Sequence, residues 1–224
     1  AGMKALKMDG GNLLDNWFLK QKTAELSKKN KLLGNARFRL SIFRSGAGLY
    51  TPDINRSEYL LESSPTEGGY TYNSKGLIID VYTDLPKPIN GLSNYKTTNA
   101  LTYVMAGLYK KQQALDEAIL LNQNGFICEA ISANVFIVYN KQLYTPSLAE
   151  GCIAGVMRNV TLQLAKKNGL TVTEAQINPE VLNEAEEIFI TNASTGIRWV
   201  MGYGRKRYFN EISKFLSGKL NELK

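Results

Sequence analysis

Histidine is absent from all 224 residues, so the imidazole that most often serves as general base and metal ligand must be replaced by something else. Ser-His-Asp and Cys-His nucleophile systems are excluded within these residues. Cys2His2 zinc sites and the two-His-one-carboxylate iron site fall with them. With 27 Lys and Arg against 20 Asp and Glu, lysine is the most available nucleophile. Lys96 is best placed, because it directly precedes a helix start expected at Thr97-Thr98, where the positive end of the helix dipole favours a neutral amine. A neutral amine condenses with an aldehyde to a Schiff base. The alternative is a solvated lysine beside a helix cap, since surface is where lysine usually sits.

Three further features could handle charge. Gly151 and Gly155 let the chain turn closely ahead of a second expected helix, whose first free amides, those of Val156 and Met157, would bind a phosphate without any side chain. The other reading is an ordinary turn. Glu129 stands inside the apolar run Phe126 to Ile131, where an unpaired carboxylate is expensive and a cationic partner is required. It could instead face outward, because strand side chains alternate. Thr191-Asn192-Ala193-Ser194-Thr195-Gly196 places small polar residues straight after a strand, either as hydroxyl and amide donors to an anion or as a plain strand-to-loop turn.

The elements that must position these groups are legible in the periodicity. Leu13 to Lys31 reads as a helix, and Ala36 to Arg44 alternates with Phe38, Leu40 and Ile42 on one face. Strands follow at Tyr59 to Glu62 and Gly76 to Tyr82. The turn-rich stretch Leu85 to Gly91 predicts a boundary between a small α+β domain, residues 1–86 and lacking its first strands, and a larger one, residues 92–224. In the latter, Thr98 to Lys111 is a helix with Leu101, Val104, Met105 and Leu108 as its apolar face. Ala118 to Leu121, Phe126 to Ile131 and Val135 to Tyr139 form an antiparallel meander, with Asn124-Gly125 as a hairpin turn. Gly155 to Lys167 is a helix with Val156, Val160 and Leu164 on one side and Asn168-Gly169 as its stop. Glu187 to Thr191 is a strand, and Tyr208 to Leu223 a closing helix.

Composition narrows the class. Hydrophobic residues are 44% and charged residues 21%, which suits one folded chain and excludes a disordered or low-complexity one. Two cysteines, Cys128 and Cys152, cannot form a multi-bridge framework, and a reducing cytoplasm is the default. No run approaches a membrane span and the first residues carry no signal-peptide stretch. The net charge of +7 suits anionic ligands as well as nucleic acid. A non-catalytic nucleic-acid or anion-binding protein is the remote reading, but the basic residues are dispersed and no aromatic-and-Arg recognition motif is present.

In combination these pieces resemble the class IV aminotransferases, the fold-type IV pyridoxal-phosphate enzymes. Lys96-Thr97-Thr98-Asn99, Asn124 to Glu129 followed by Ser132 to Phe136, Thr145-Pro146, Gly151, Gly155-Val156-Met157-Arg158 and Thr191-Asn192-Ala193 occur in the family's order and spacing. The block G-x-[IV]-x-E-x-x-x-x-N-[VI]-F joined to the lysine motif is specific. The resemblance implies an α+β fold of two domains, the larger built on an antiparallel sheet with helices. It also implies pyridoxal 5'-phosphate as cofactor, with Lys96 forming the Schiff base and shuttling the proton and Glu129 keeping the pyridine nitrogen protonated. Val156 and Met157 amides would cup the phosphate, and Asn192, Ala193 and Ser194 would close its other side. A homodimer, with the site completed at its interface, is implied as well.

Three departures bear on the reading. Family members carry an H-x-x-R-L segment whose arginine grips the phosphate, and this chain opens just after the place where that segment should end. The lyases of the family use an arginine in an R-G-x-G-G-R-G-Y loop, where this chain reads Arg44-Ser45-Gly46-Ala47-Gly48-Leu49-Tyr50. Branched-chain aminotransferases in turn carry a glycine-tyrosine pattern after the lysine, where this chain reads Asn99-Ala100-Leu101. The expected activity is amino transfer from a small, branched-chain-like amino acid to a 2-oxo acid, since that half-reaction needs only Lys96, the ring and a carboxylate grip. Arg44 is expected as the substrate carboxylate partner, with Arg37 and Arg39 as alternatives. The second reading is a 4-amino-4-deoxychorismate lyase, releasing pyruvate and 4-aminobenzoate from aminodeoxychorismate. No metal, nucleic acid or membrane partner is expected.

Overall fold

The computed structural model describes residues 1–11, 13 and 15–223; Leu14, part of the first expected helix, lies outside them, as do Asn12 and Lys224. The chain divides into two compact units, Ala1–Gly69 and Tyr70–Lys224. The first holds helices α1 (Gly2–Ala5) and α2 (Asn16–Lys29) and strands β1 (Ala36–Arg44) and β2 (Ser57–Pro65). Asp15 starts α2, its carboxylate accepting from the Trp17 N–H at 2.9 Å, which satisfies one of the orphan donors of a helix start. β1 and β2 pair antiparallel with Leu40 opposite Leu61 and Arg39 opposite Glu62. Arg37 and Arg39 face outward, Arg39 within 3.5 Å of Glu62.

The second unit runs β3 (Leu77–Lys87), α3 (Leu101–Gln112), β4 (Glu117–Asn122), β5 (Ile127–Ala130), β6 (Asn134–Tyr139), β7 (Gln142–Pro146), α4 (Val156–Lys167), β8 (Val172–Ala175), β9 (Glu187–Asn192), β10 (Gly196–Tyr203), β11 (Lys206–Arg207) and α5 (Glu211–Asn221). Its strands lie in the order β5-β4-β3-β10-β9-β6-β7-β8, with β11 on β10. The sheet is mixed: β3 runs parallel to both β4 and β10, and β7 to β8. One apolar cluster joins Ile79, Ile119, Val135, Ile137, Ile188 and Val200. Another packs α4 and α5 on the sheet around Phe136 and Phe189, whose rings stack at 5.1 Å.

Four expectations are corrected. The units do not part at Leu85–Gly91: β3 is hydrogen-bonded between β4 and β10, so that stretch is the exit of a sheet strand and not a linker. The meander stops after β5, because β5 pairs with β4 whereas β6 lies between β9 and β7; a turn closed by the Ala130 N–H on the Ala133 carbonyl at 2.8 Å separates them. On α3 the expected apolar face is open to solvent, with Leu101 71% and Val104 54% exposed. The helix instead packs through Ala106, Tyr103 and Tyr109 on Tyr82, Ala118 and Leu120. On α4, Val156 points outward, and the buried face is Met157, Arg158, Thr161, Leu162, Leu164 and Ala165. Among the described residues no helix is long and apolar enough to cross a membrane, and no group of His, Cys, Asp and Glu is placed to hold a metal ion.

Candidate active site

Helix α3 begins at Leu101, capped by Ala100, so Lys96 lies in the loop ahead of it and not at its cap. The dipole argument for a neutral amine weakens accordingly, since that field falls off within a turn. Lys96 is exposed and lines a cavity of about 530 Å³ together with Lys87, Tyr95, Thr97, Tyr103 and Ile153. The loop that presents it is tightly bonded. Ser93 Oγ accepts from the Asn90 N–H at 2.8 Å and donates to the Pro88 carbonyl at 2.8 Å. Asn94 Nδ2 donates to the Leu148 and Cys152 carbonyls at 2.9 and 2.7 Å, and the Asn94 carbonyl accepts from the Ala154 N–H at 2.9 Å.

Glu129 is buried, 3% exposed, and its demand for a cation is met by Lys87, whose ammonium donates to Oε1. The Tyr103 hydroxyl donates to the same oxygen at 2.6 Å, and the Ile153 N–H donates to Oε2 at 2.9 Å. All three donors line the cavity, so the carboxylate stands directly behind its wall. Burial and the neighbouring Glu129 push the Tyr103 hydroxyl well above its ordinary range, keeping it a neutral donor. Burial likewise pushes up the Cys128 thiol, and that of Cys152 to about 11. Both cysteines are free and buried, and as neutral thiols they are poor nucleophiles. Lys87 escaped the sequence reading, which met the demand of Glu129 for a cation with the protonated pyridine nitrogen that the family resemblance implies; in the fold a lysine of the chain itself already meets it.

The second cluster surrounds the start of α4. Gly155 is its N-cap, with no side chain capping the first amides, which leaves those of Val156 and Met157 as donors of the kind that bind anions. A Cβ at Gly155 would stand 2.6 Å from Asn134 Oδ1. Asn134 is held in turn, its Nδ2 donating to the Thr191 carbonyl at 2.8 Å and to Thr191 Oγ1 at 3.0 Å. One side chain thus joins β6, the α4 start and the end of β9. The turn after β9 differs from expectation: Asn192 Oδ1 accepts from the Ser194 and Thr195 N–H groups at 3.0 and 2.8 Å, and Asn192 Nδ2 donates to the Ser132 carbonyl at 3.2 Å. The Ala193 carbonyl accepts from Tyr70 at 3.1 Å. Asn192 and the Ser194 amide therefore build the turn, where free donors were expected.

Of the expected site residues only Lys96 lines the cavity; Glu129 stands behind its wall, bonded to the lining residues Lys87, Tyr103 and Ile153, and Val156, Met157, Asn192, Ala193 and Ser194 do not line it. The two clusters are joined through backbone, since Ile153, bonded to Glu129, precedes Gly155 by two residues. Arg44 is engaged inside the first unit, Nε donating to Asn55 Oδ1 at 3.0 Å and a terminal nitrogen to the Leu6 carbonyl at 2.6 Å. Arg158 is buried and donates to the Pro146 carbonyl and to Glu174, each at 2.7 Å, which ties α4 to β7 and β8.

This arrangement of lysine, buried acid and glycine-led helix can be set against known proteins. The family model described as amino-transferase class IV matches residues 2–202. The chain belongs to the class IV aminotransferase family. A relative named "Probable branched-chain-amino-acid aminotransferase", from Aquifex aeolicus, is 32% identical over 166 residues, 72% of this chain and 51% of that protein. The chain thus spans about half the length of that relative. The crystal structure of a branched-chain aminotransferase from Thermoproteus uzoniensis with norvaline covers 97% of this chain, and 73% of its own, with a TM-score of 0.84 at 21% identity. The Escherichia coli branched-chain amino acid aminotransferase covers 99% and 74%, with a TM-score of 0.84 at 22% identity. At such identity these structures establish the shared fold alone.

Proposed function

We propose that the chain binds pyridoxal 5'-phosphate in the Lys96 cavity and is an aminotransferase moving the amino group of a small, branched-chain-like amino acid to a 2-oxo acid. The observation that carries the reading is Glu129. An ionised carboxylate has about four acceptor positions, and Lys87, Tyr103 and Ile153 use three of them, leaving one for a ring N–H. The volume of about 530 Å³ falls in the range of small-molecule sites, so acid, amine and space fit such a group. When bound, pyridoxal phosphate supplies a protonated conjugated ring that draws electron density from the amino-acid Cα.

The chain's own residues would then divide the work. Glu129 holds the proton on the ring nitrogen, because a buried carboxylate stabilises the adjacent cation. Lys96 Nζ attaches the cofactor and afterwards takes and returns the Cα proton. The Val156 and Met157 amides hold the phosphate end, and the Ala193–Ser194 turn borders it. Arg44 would grip the substrate carboxylate only by releasing its bonds to Asn55 and Leu6. The exposed apolar face of α3, with Leu101, Val104, Met105 and Leu108, supports the homodimer, and the two free, buried cysteines suit a cytoplasmic setting. The test is to add pyridoxal phosphate to the purified protein and offer branched-chain amino acids with a 2-oxo acid, D-alanine with a 2-oxo acid, and aminodeoxychorismate in parallel. Oxo-acid exchange with the branched-chain donors is the expected result; release of 4-aminobenzoate alone would make the protein the lyase.

A further inference from the structure

We infer that Lys87 is a positioning residue that offsets the buried charge of Glu129 and aims its carboxylate before any ligand enters, and that it couples this carboxylate to the loop presenting Lys96. What Glu129 is aimed at rests on the reading above; the pairing itself does not. Lys87 is 6% exposed and Glu129 3%, and neither charge would be tolerated there alone, because each needs the other to offset its lost hydration. The ammonium has a second partner, the Ser93 carbonyl at 3.3 Å, and stands 5.5 Å from the centre of the Tyr103 ring, within range of a cation–π attraction. Ser93 precedes Lys96 by three residues in the loop held by its own hydroxyl and by Asn94. One side chain therefore contacts both the acid and the lysine-bearing loop.

The backbone is arranged to deliver it. β3 keeps step with β4 from Ile79 to Tyr82, then loses register before Lys87 meets Asn122. Residues 83–86 are exposed and Lys87 is buried again, anchored by the Gln123 N–H on its carbonyl at 3.0 Å. The strand bulges outward and returns at the lysine. Around Glu129 stand the Tyr103 hydroxyl and the Cys128 and Cys152 thiols, all pushed toward the neutral form by burial, with Glu150 and Arg158 as charged neighbours of the thiols. Among the described residues Lys87 is the one cation paired with Glu129. Without it the buried carboxyl would take up a proton, and a neutral carboxyl no longer offers charge to a ring cation.

The experiment compares the wild type with Lys87→Met, Lys87→Arg, Glu129→Gln and the double variant Lys87→Met/Glu129→Gln. In the cofactor-free protein at neutral pH, infrared difference spectra against the wild type should show an added protonated-carboxyl band in Lys87→Met and none in Lys87→Arg or the double variant. In titrations with pyridoxal phosphate, Lys87→Met should weaken binding about tenfold, Lys87→Arg should stay within about threefold, and in the Glu129→Gln background Lys87→Met should add nothing. If Lys87→Met fails to fold, the double variant, which buries no charge, and Lys87→Arg carry the comparison: the double variant must bind as Glu129→Gln does. An unchanged carboxyl and wild-type affinity in Lys87→Met would overturn the inference. So would an equal loss from Lys87→Met in both backgrounds, the mark of a merely structural residue. Absence of cofactor binding by the wild type would instead overturn the functional reading, and the infrared band would still decide the role of Lys87.

Discussion

Two amines line one cavity, and their surroundings assign them different work. The Lys87 ammonium is engaged by a carboxylate, a carbonyl and an aromatic face. Lys96 is exposed, and among the described residues no carboxylate pairs with it. Lys96 should therefore be the amine that attaches the cofactor. Lys96→Ala is expected to abolish the yellow colour and the borohydride-trapped adduct; peptide mapping that found the adduct on Lys87 would reverse the assignment. Glu129→Gln should retain the cofactor yet slow turnover severely, since a neutral ring attracts electrons poorly. The same change strands the Lys87 charge, so the cofactor-free protein should lose about 3 kcal/mol of unfolding free energy, measurable by urea denaturation. A second buried acid gives a pH signature. Burial raises the Glu117 carboxyl, against bonds from the Ala118 N–H and Ser132. A carboxyl pushed above its unfolded value binds its proton more tightly when folded, so its contribution is full below the unfolded value and is lost as pH rises through the raised one. Glu117→Gln should flatten that decline in denaturation curves taken across the acid-to-neutral range.

At the scale of elements, the start of α4 depends on the backbone of Gly155 more than on side-chain charge. Gly155→Val would set a β-branched carbon 2.6 Å from Asn134 Oδ1 and displace the side chain that reaches Thr191. Arg158→Ala removes bonds to Pro146 and Glu174 instead; Glu174 is 41% exposed, so the stability cost is discounted to about 2 kcal/mol. The two variants should separate cleanly. Gly155→Val is expected to weaken pyridoxal phosphate about tenfold or more while affecting phosphate-free pyridoxal much less, whereas Arg158→Ala lowers thermal stability and leaves the affinity ratio of the two ligands unchanged. Titrations with both ligands read this directly, and a greater loss of phosphate preference in Arg158→Ala would make the arginine the anion ligand.

At the scale of the molecule, the open face of α3 is the feature that a monomer leaves unexplained. Leu101, Val104, Met105 and Leu108 recur on one side of a helix, the pattern of a face that buries itself. Within the chain that burial is done by Tyr103, Ala106 and Tyr109 instead. Covering the open face with a second copy is the simplest remedy. If the proposed homodimer uses this face, Leu108→Glu, at a half-exposed position where the monomer loses little, should lower the sedimenting mass from two chains to one; a wild type of one chain, or an unchanged mass in the variant, would remove this face as the contact.

Much of this protein is decided locally and is legible in the chain itself. β1 is bounded in the structure as alternation placed it, Ala36 to Arg44. The Asn124-Gly125 turn is made with Gly125 at φ +83°, and α4 stops at Asn168 with Gly169 at φ +76°, because turn chemistry and residue period act over a few residues. The absence of histidine, the isolated acid at Glu129 and the glycine before α4 are likewise facts of the sequence. What only the tertiary structure decided is pairing across distance. Lys87 and Glu129 meet from 42 residues apart, β3 enters the large sheet in place of closing a small domain, and β5 and β6 part to different neighbours. Burial and charge compensation are properties of the assembled sheet, so a sequence can state that Glu129 needs a cation while only the fold selects Lys87.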